Sequence, residues 1–217
     1  MANSQIGSQE AIASTVVKPS QGGNQLFTGS YVPVSTVARD DSGDNVDSAE
    51  KSYLDRIAVI RTESPNSSEE IDLLAQLARH YLNNGSAEKA RRSLEDSRRC
   101  AEIVYGGQHP VVAELMIELG FVSFRMQEYE LARQYLEPAV VIFEQAYGKI
   151  SDQVAYAFHK LGRVHEAIED LERAEYFYQK AVTTYQNTFN EDESDMLSAR
   201  NDLSRVKTRN STGASRD

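Results

Sequence analysis

The residues best suited to covalent or metal chemistry are one cysteine, Cys100, and four histidines, His80, His109, His159 and His165. A thiol acts as a nucleophile when a base stands beside it, and zinc needs several Cys or His ligands at short spacings. The spacings meet neither condition. Cys100 and His109 are nine residues apart across an expected helix end, and no further Cys/His pair stands at ligand spacing. The sequence also has no glycine-rich phosphate loop, no triad-like set and no carboxylate pair of definable geometry. The residue types therefore point away from catalysis, metal and cofactors, and Cys100 reads as structural.

What remains is binding chemistry. Lys89, Arg91, Arg92, Arg98 and Arg99 form a basic cluster on an acidic chain. Glu88 and Arg92, Arg91 and Glu95, Glu95 and Arg99, and Arg98 and Glu102 are spaced i,i+4. The cluster thus reads as a solvated helix face laced with pairs of about 0.3–0.5 kcal/mol each; a docking patch is the alternative.

The elements that must hold these side chains are helices. Ser, Gln, Gly, Asn, Thr and Asp dominate residues 1–47, and a segment so poor in apolar groups cannot offset the entropy of ordering its backbone. A disordered N-terminal arm is expected there, with one apolar island at Leu26–Val34 that reads as an inert part of the arm; a short motif docking on a partner or on the chain's own groove is the alternative. Residues 48–67 follow as an N-terminal capping helix and linker, in which Tyr53, Leu54, Ile57 and Ile60 share a face and Pro65 ends the helix. Three helical hairpins are expected at 68–109, 110–151 and 152–193, then a C-terminal capping helix at 194–207 and a polar, frayed tail at 208–217.

Of 217 residues, 23 are basic and 33 acidic, for a net charge of −10. That balance argues against a nucleic-acid partner and favours a protein or peptide. A single thiol forms no internal disulfide, no basic–apolar secretory signal opens the sequence, and no run is long enough for membrane insertion. A cytoplasmic location is expected.

The hairpins are copies of one unit. Ala90 and Leu94 recur 42 residues on as Ala132 and Leu136, and again as Ala174 and Tyr178; Leu77-Ala78, Leu119-Gly120 and Leu161-Gly162 recur in the same step. A fixed period of this size marks stacked units that cannot bury their apolar faces alone. The pattern resembles the tetratricopeptide repeat. The 42-residue step and the joint Tyr105-Gly106-Gly107-Gln108-His109-Pro110 resemble repeats of the kinesin light chain type, and the joint Tyr147-Gly148 keeps part of that pattern.

The resemblance implies an all-α fold, a right-handed solenoid of helical hairpins with a groove lined by the leading helices. Carried onto this sequence, the groove positions are Asp72, Ala75, Arg79, Leu82 and Asn83; Glu114, Ile117, Phe121, Phe124 and Arg125; and Tyr156, His159, Arg163, Glu166 and Ala167. The paired asparagines of kinesin light chain repeats are replaced by Ala75-Gln76, Ile117-Glu118 and His159-Lys160, and the carboxylate-clamp positions of chaperone-binding members are absent. An apolar centre of Ile117, Phe121, Phe124 and Tyr156 is left, flanked by Arg79, Arg125 and Arg163, with His159 as a possible polar contact. Such a set suits a peptide or helix with apolar anchors and acidic residues. The expected function is a non-catalytic adaptor; a structural subunit of a larger assembly, or a regulator inhibited by its own arm, are the alternatives.

Overall fold

The structure, a computed structural model, describes residues 43–188 and 194–213. The expected disordered arm up to residue 42, with its apolar island, and residues 189–193 at the end of the third expected hairpin lie outside the described residues. Eight α-helices and no strand occur among them: α1 Gly43–Glu63, α2 Ser68–Asn83, α3 Ala87–Tyr105, α4 Pro110–Arg125, α5 Tyr129–Tyr147, α6 Asp152–Ala167, α7 Leu171–Asn187 and α8 Ser194–Gly213. The leading helices α2, α4, α6 and α8 start 42 residues apart, as do the trailing helices α3, α5 and α7. Each trailing helix packs on its own leading helix and on the next one, and α1 packs on α2. The fold is an all-α helical-repeat solenoid.

Local chemistry sets the helix ends. Ser67 accepts from the Glu70 amide, while the buried Glu70 carboxylate accepts from the Asn66 amide at 2.9 Å and from Arg61 Nε at 2.6 Å. These contacts satisfy orphan donors at the start of α2. His109 does the same for α4, its Nδ1 accepting from the Val111 amide ahead of Pro110 at the first helical position, so this histidine is a cap. The turn inside each hairpin uses one left-handed residue at matching positions, Gly85, Gln127 and Glu169. Only the first is the residue that adopts this geometry at no cost.

Close contact within each hairpin depends on small residues. Ala90, Ala132 and Ala174 are fully buried. A Cβ on Gly120 would lie 2.8 Å from Leu136 Cγ, and one on Gly162 would lie 2.5 Å from Tyr178 Cδ1. Both glycines are therefore spacers that let a bulky trailing side chain lie against the leading backbone.

Three local expectations differ from what is seen. The first helix begins at Gly43, five residues before Ser48. Residues 208–213 continue α8 instead of fraying, because Arg209 reaches Glu166 at 3.1 Å and Glu169 at 2.6 Å, and Asn210 donates to Glu175 at 3.0 Å. In the basic cluster the Glu88–Arg92 and Arg98–Glu102 pairs form, but Arg91 pairs with Glu88 and Arg99 with Asp96, one residue closer than expected. Cys100 is buried against Glu70, and burial pushes its thiol pKa up, which suppresses the thiolate.

Candidate functional site

Fifteen positions on the leading helices were expected to face a ligand, and the structure divides them. Ala75, Ile117 and His159 occupy one register position and are each only 4% exposed. His159 Nε2 lies 2.8 Å from Asp202 Oδ2 on α8, with its ring 5.6 Å from that of Tyr178. The carboxylate accepts, so Nε2 carries the proton. Glu166 is likewise engaged: it accepts from Arg205 at 2.7 and 3.0 Å, from Arg209 at 3.1 Å and from Tyr178 Oη at 2.8 Å. Burial raises its pKa, but these donors outweigh burial and hold the carboxyl below its ordinary range. Together, His159 and Glu166 fasten α8 to the third hairpin.

Other expected residues meet on one face. Phe121, Phe124 and Tyr156 are half-buried, and Arg79 and Arg125 are exposed. Arg163 Cζ lies 5.2 Å from the centre of the Phe124 ring, and Arg125 Cζ lies 6.0 Å from that of Phe121. Phe124 also packs 5.6 Å from Tyr129, so its inner edge belongs to the core. Asp72, Leu82, Glu114 and Ala167 are half-buried and Asn83 is exposed.

The residue that the expected set missed is Lys160. Its Nζ stands 4.4 Å from the Tyr156 ring centre and 5.8 Å from that of Phe121, which ties the two aromatics into one surface. Burial, reinforced by Arg163, pushes the lysine pKa down to about 8. Its counterpart on α4 is Glu118, raised by burial against the opposing pull of Arg79 and Lys160. Glu114, one turn earlier, is pushed up to about 7 by burial, with Glu118 adding to the effect. The signal for this row lay in the pairs Ala75-Gln76, Ile117-Glu118 and His159-Lys160. The first member of each is buried between helices, whereas Gln76 is exposed and Glu118 and Lys160 are half-buried.

Three cations of this face differ from most of those on the trailing helices, the exception being Lys180 of α7, whose Nζ lies 4.9 Å from the ring centres of Phe158 and Tyr176. Lys89, Arg91, Arg92, Arg98, Arg99 and Arg133 all have carboxylate partners. Among the described residues, Arg125, Lys160 and Arg163 have none within 4.0 Å and lie on aromatic rings instead. A cavity of about 580 Å³, lined by Glu144, Lys149, Phe158, Tyr176, Lys180 and other residues, shares no member with this face. Among the described residues no group of three or more His, Cys, Asp or Glu is placed to hold a metal, and no helix is long and apolar enough to cross a membrane.

A family model described as tetratricopeptide repeat matches residues 112–187, which is most of α4 through α7. Among solved structures, BtubC (BKLC) from P. vanneervenii is 20% identical with a TM-score of 0.67, covering 76% of this chain and 66% of that one. The chain thus spans just under two thirds of that protein's length. Two crystal structures of a putative kinesin light chain with nearly identical TPR-like repeats from Podosopora anserina, one of them a point variant, give TM-scores of 0.63 and 0.64 at 20% identity. They cover 77% of this chain and 80% and 79% of theirs. No curated protein matches the sequence. At this identity the likeness is one of fold: the chain is a TPR-like helical-repeat protein, a class that typically mediates protein–protein interactions.

Proposed function

We propose that this chain is a non-catalytic cytoplasmic adaptor that binds a peptide or helix of a partner protein in the groove formed by its leading helices. Its repeats are read as those of the kinesin light chain type, on the 42-residue step and the Tyr-Gly joints. Phe121, Phe124 and Tyr156 take the partner's apolar anchors, and Lys160, Arg125 and Arg163, with Arg79 beside them, take its acidic residues. The observation that carries this reading is that, among the described residues, Arg125, Lys160 and Arg163 lie on aromatic rings of the leading helices with no carboxylate within 4.0 Å, whereas most cations of the trailing helices are paired; Lys180 of α7, over Phe158 and Tyr176, is the exception. Lys160 adds support. Burial disfavours its charge, so a lysine kept there costs the fold something that methionine would not, and groups held at such a cost concentrate at functional sites.

The test is fluorescence anisotropy of a labelled helical peptide with a Leu/Trp ridge and Glu flanks. Arg163→Glu should weaken binding about tenfold, or about 1.4 kcal/mol, with an unchanged circular-dichroism melt. Equal affinity for the variant and the wild type would remove the groove from the account.

A further inference from the structure

The leading helices carry a second row of charge, opposite in sign to the first. Asp72 and Glu114 occupy the same register position in the N-terminal halves of α2 and α4, and Glu118 stands one turn further along α4. Arg79 and Arg163 share a position in the C-terminal halves of α2 and α6, and Arg125 is the last residue of α4. Because the helices stack in register, these become two rows across the face, one acidic and one basic. Tyr156 and Lys160 take on α6 the positions that Glu114 and Glu118 hold on α4, and Phe121 takes on α4 the position of Arg163, so the aromatics run diagonally across the face with the three acids on one side and Arg125 and Arg163 on the other.

The acidic row is not internally balanced. Among the described residues no cation lies within 4.0 Å of Asp72, Glu114 or Glu118. Glu114 Oε2 is buried and accepts no hydrogen bond. Burial raises the pKa of all three carboxyls, Glu114 to about 7. A carboxylate removed from water without a donor is unfavourable, and an incoming ammonium or guanidinium relieves it. The carboxylates elsewhere in the fold that are this well covered, Glu70 and Glu166, already have arginine partners. Asp202 is paired in the same way, while Asp152 Oδ1 at the start of α6 shares with Glu114 Oε2 the lack of a donor.

We infer that the partner segment is bipolar: an amphipathic peptide with an apolar ridge on Phe121 and Tyr156, an acidic flank toward Arg125 and Arg163, and a basic flank toward Asp72, Glu114 and Glu118. This rests on the groove reading above and adds two things to it, a basic requirement and a fixed direction. Opposed charged walls act as a register device, because reversing the peptide sets like charges against each other.

Three helical peptides with one Leu/Trp ridge test this on the full chain by anisotropy: Glu on both flanks, Lys on both flanks, and Glu on one with Lys on the other. The bipolar peptide should bind about tenfold tighter than the all-Glu peptide. The double variant Glu114→Gln/Glu118→Gln, which removes charges that burial disfavours and so keeps the fold, should erase that difference, by weakening the bipolar peptide and by relieving like-charge repulsion on the all-Glu peptide. If the all-Glu peptide matches the bipolar one on the wild-type protein, or the double variant retains the difference, the acidic row plays no part and the inference fails while the groove reading stands. If none of the three binds, both fail.

Discussion

Gly162→Ala sets two known effects against each other, and the structure decides the sign. In an exposed helix interior, alanine is about 1 kcal/mol better than glycine. Here the new Cβ would meet Tyr178 Cδ1 at 2.5 Å, Cε1 at 2.6 Å and Cγ at 3.0 Å, where carbon–carbon contacts settle at about 3.5–4.0 Å. The ring must retreat by about 1 Å, and it has little freedom to do so. Tyr178 is fully buried, and its hydroxyl donates to Glu166, which also holds Arg205 and Arg209. Overpacking of this kind costs about 1–3 kcal/mol, and weakening a hydrogen bond to a charged acceptor adds about 1.5 kcal/mol. After the helix-propensity gain of about 1 kcal/mol is subtracted, a net loss of about 1.5–3.5 kcal/mol remains. For a domain of this size that lowers the melting temperature by about 3–14 °C. Far-ultraviolet circular-dichroism melts of wild type, Gly162→Ala, Tyr178→Leu and the double variant form a cycle in which the two substitutions partly cancel, because the smaller leucine vacates the space. A Gly162→Ala protein as stable as wild type, or a cycle with no coupling, would refute the close-contact role of this glycine.

Glu114→Gln should change the pH dependence of stability. The folded pKa of about 7 exceeds the ordinary 4.5, so the folded state holds more protons between these values and stability falls as pH rises through the window. Urea titrations from pH 4 to 8 should find that decline shallower in the variant. Lys160→Met should raise the melting temperature at pH 7, because the lysine is pulled down to about 8 from an ordinary 10.5 and its charged form is disfavoured by burial below that value. The same variant should bind the Glu-flanked peptide several-fold more weakly, and loss of both stability and binding would contradict the assignment. Gln127→Gly should stabilise the chain by about 0.5–1 kcal/mol, because the residue sits at φ 63° and a left-handed non-glycine costs about 1–2 kcal/mol, less the entropy of glycine. A guanidinium titration measures it, and an unchanged midpoint would count against the strain.

The repeat was legible because packing imposes it. Ala90, Ala132 and Ala174 are fully buried for one geometric reason, and that reason recurs every 42 residues. What the sequence left ambiguous were features that depend on contacts between repeats. Adjacent residues on a helix are about 100° apart, so periodicity alone does not decide whether His159 or Lys160 faces a ligand. The approach of α8 decides it, since Asp202 takes the His159 ring and leaves Lys160 on the aromatic face. The end of α8 was hidden for the same reason: Arg209 is held by Glu166, 43 residues away, and local propensity carries no trace of that bond.

The same register accounts for the two ends of the stack. The face of α3 that meets its leading helix carries Leu94, Ser97 and Ala101, all buried; the matching positions of α1 are Ser52, Asp55 and Val59, all exposed. On α8, the positions matching the buried Ala113, Gly120 and Ser123 are Leu197, Ser204 and Lys207, again exposed. Only Val59 and Leu197 are apolar in these sets. The helical backbone thus keeps the period past the last complete hairpin at each end while the side chains abandon it.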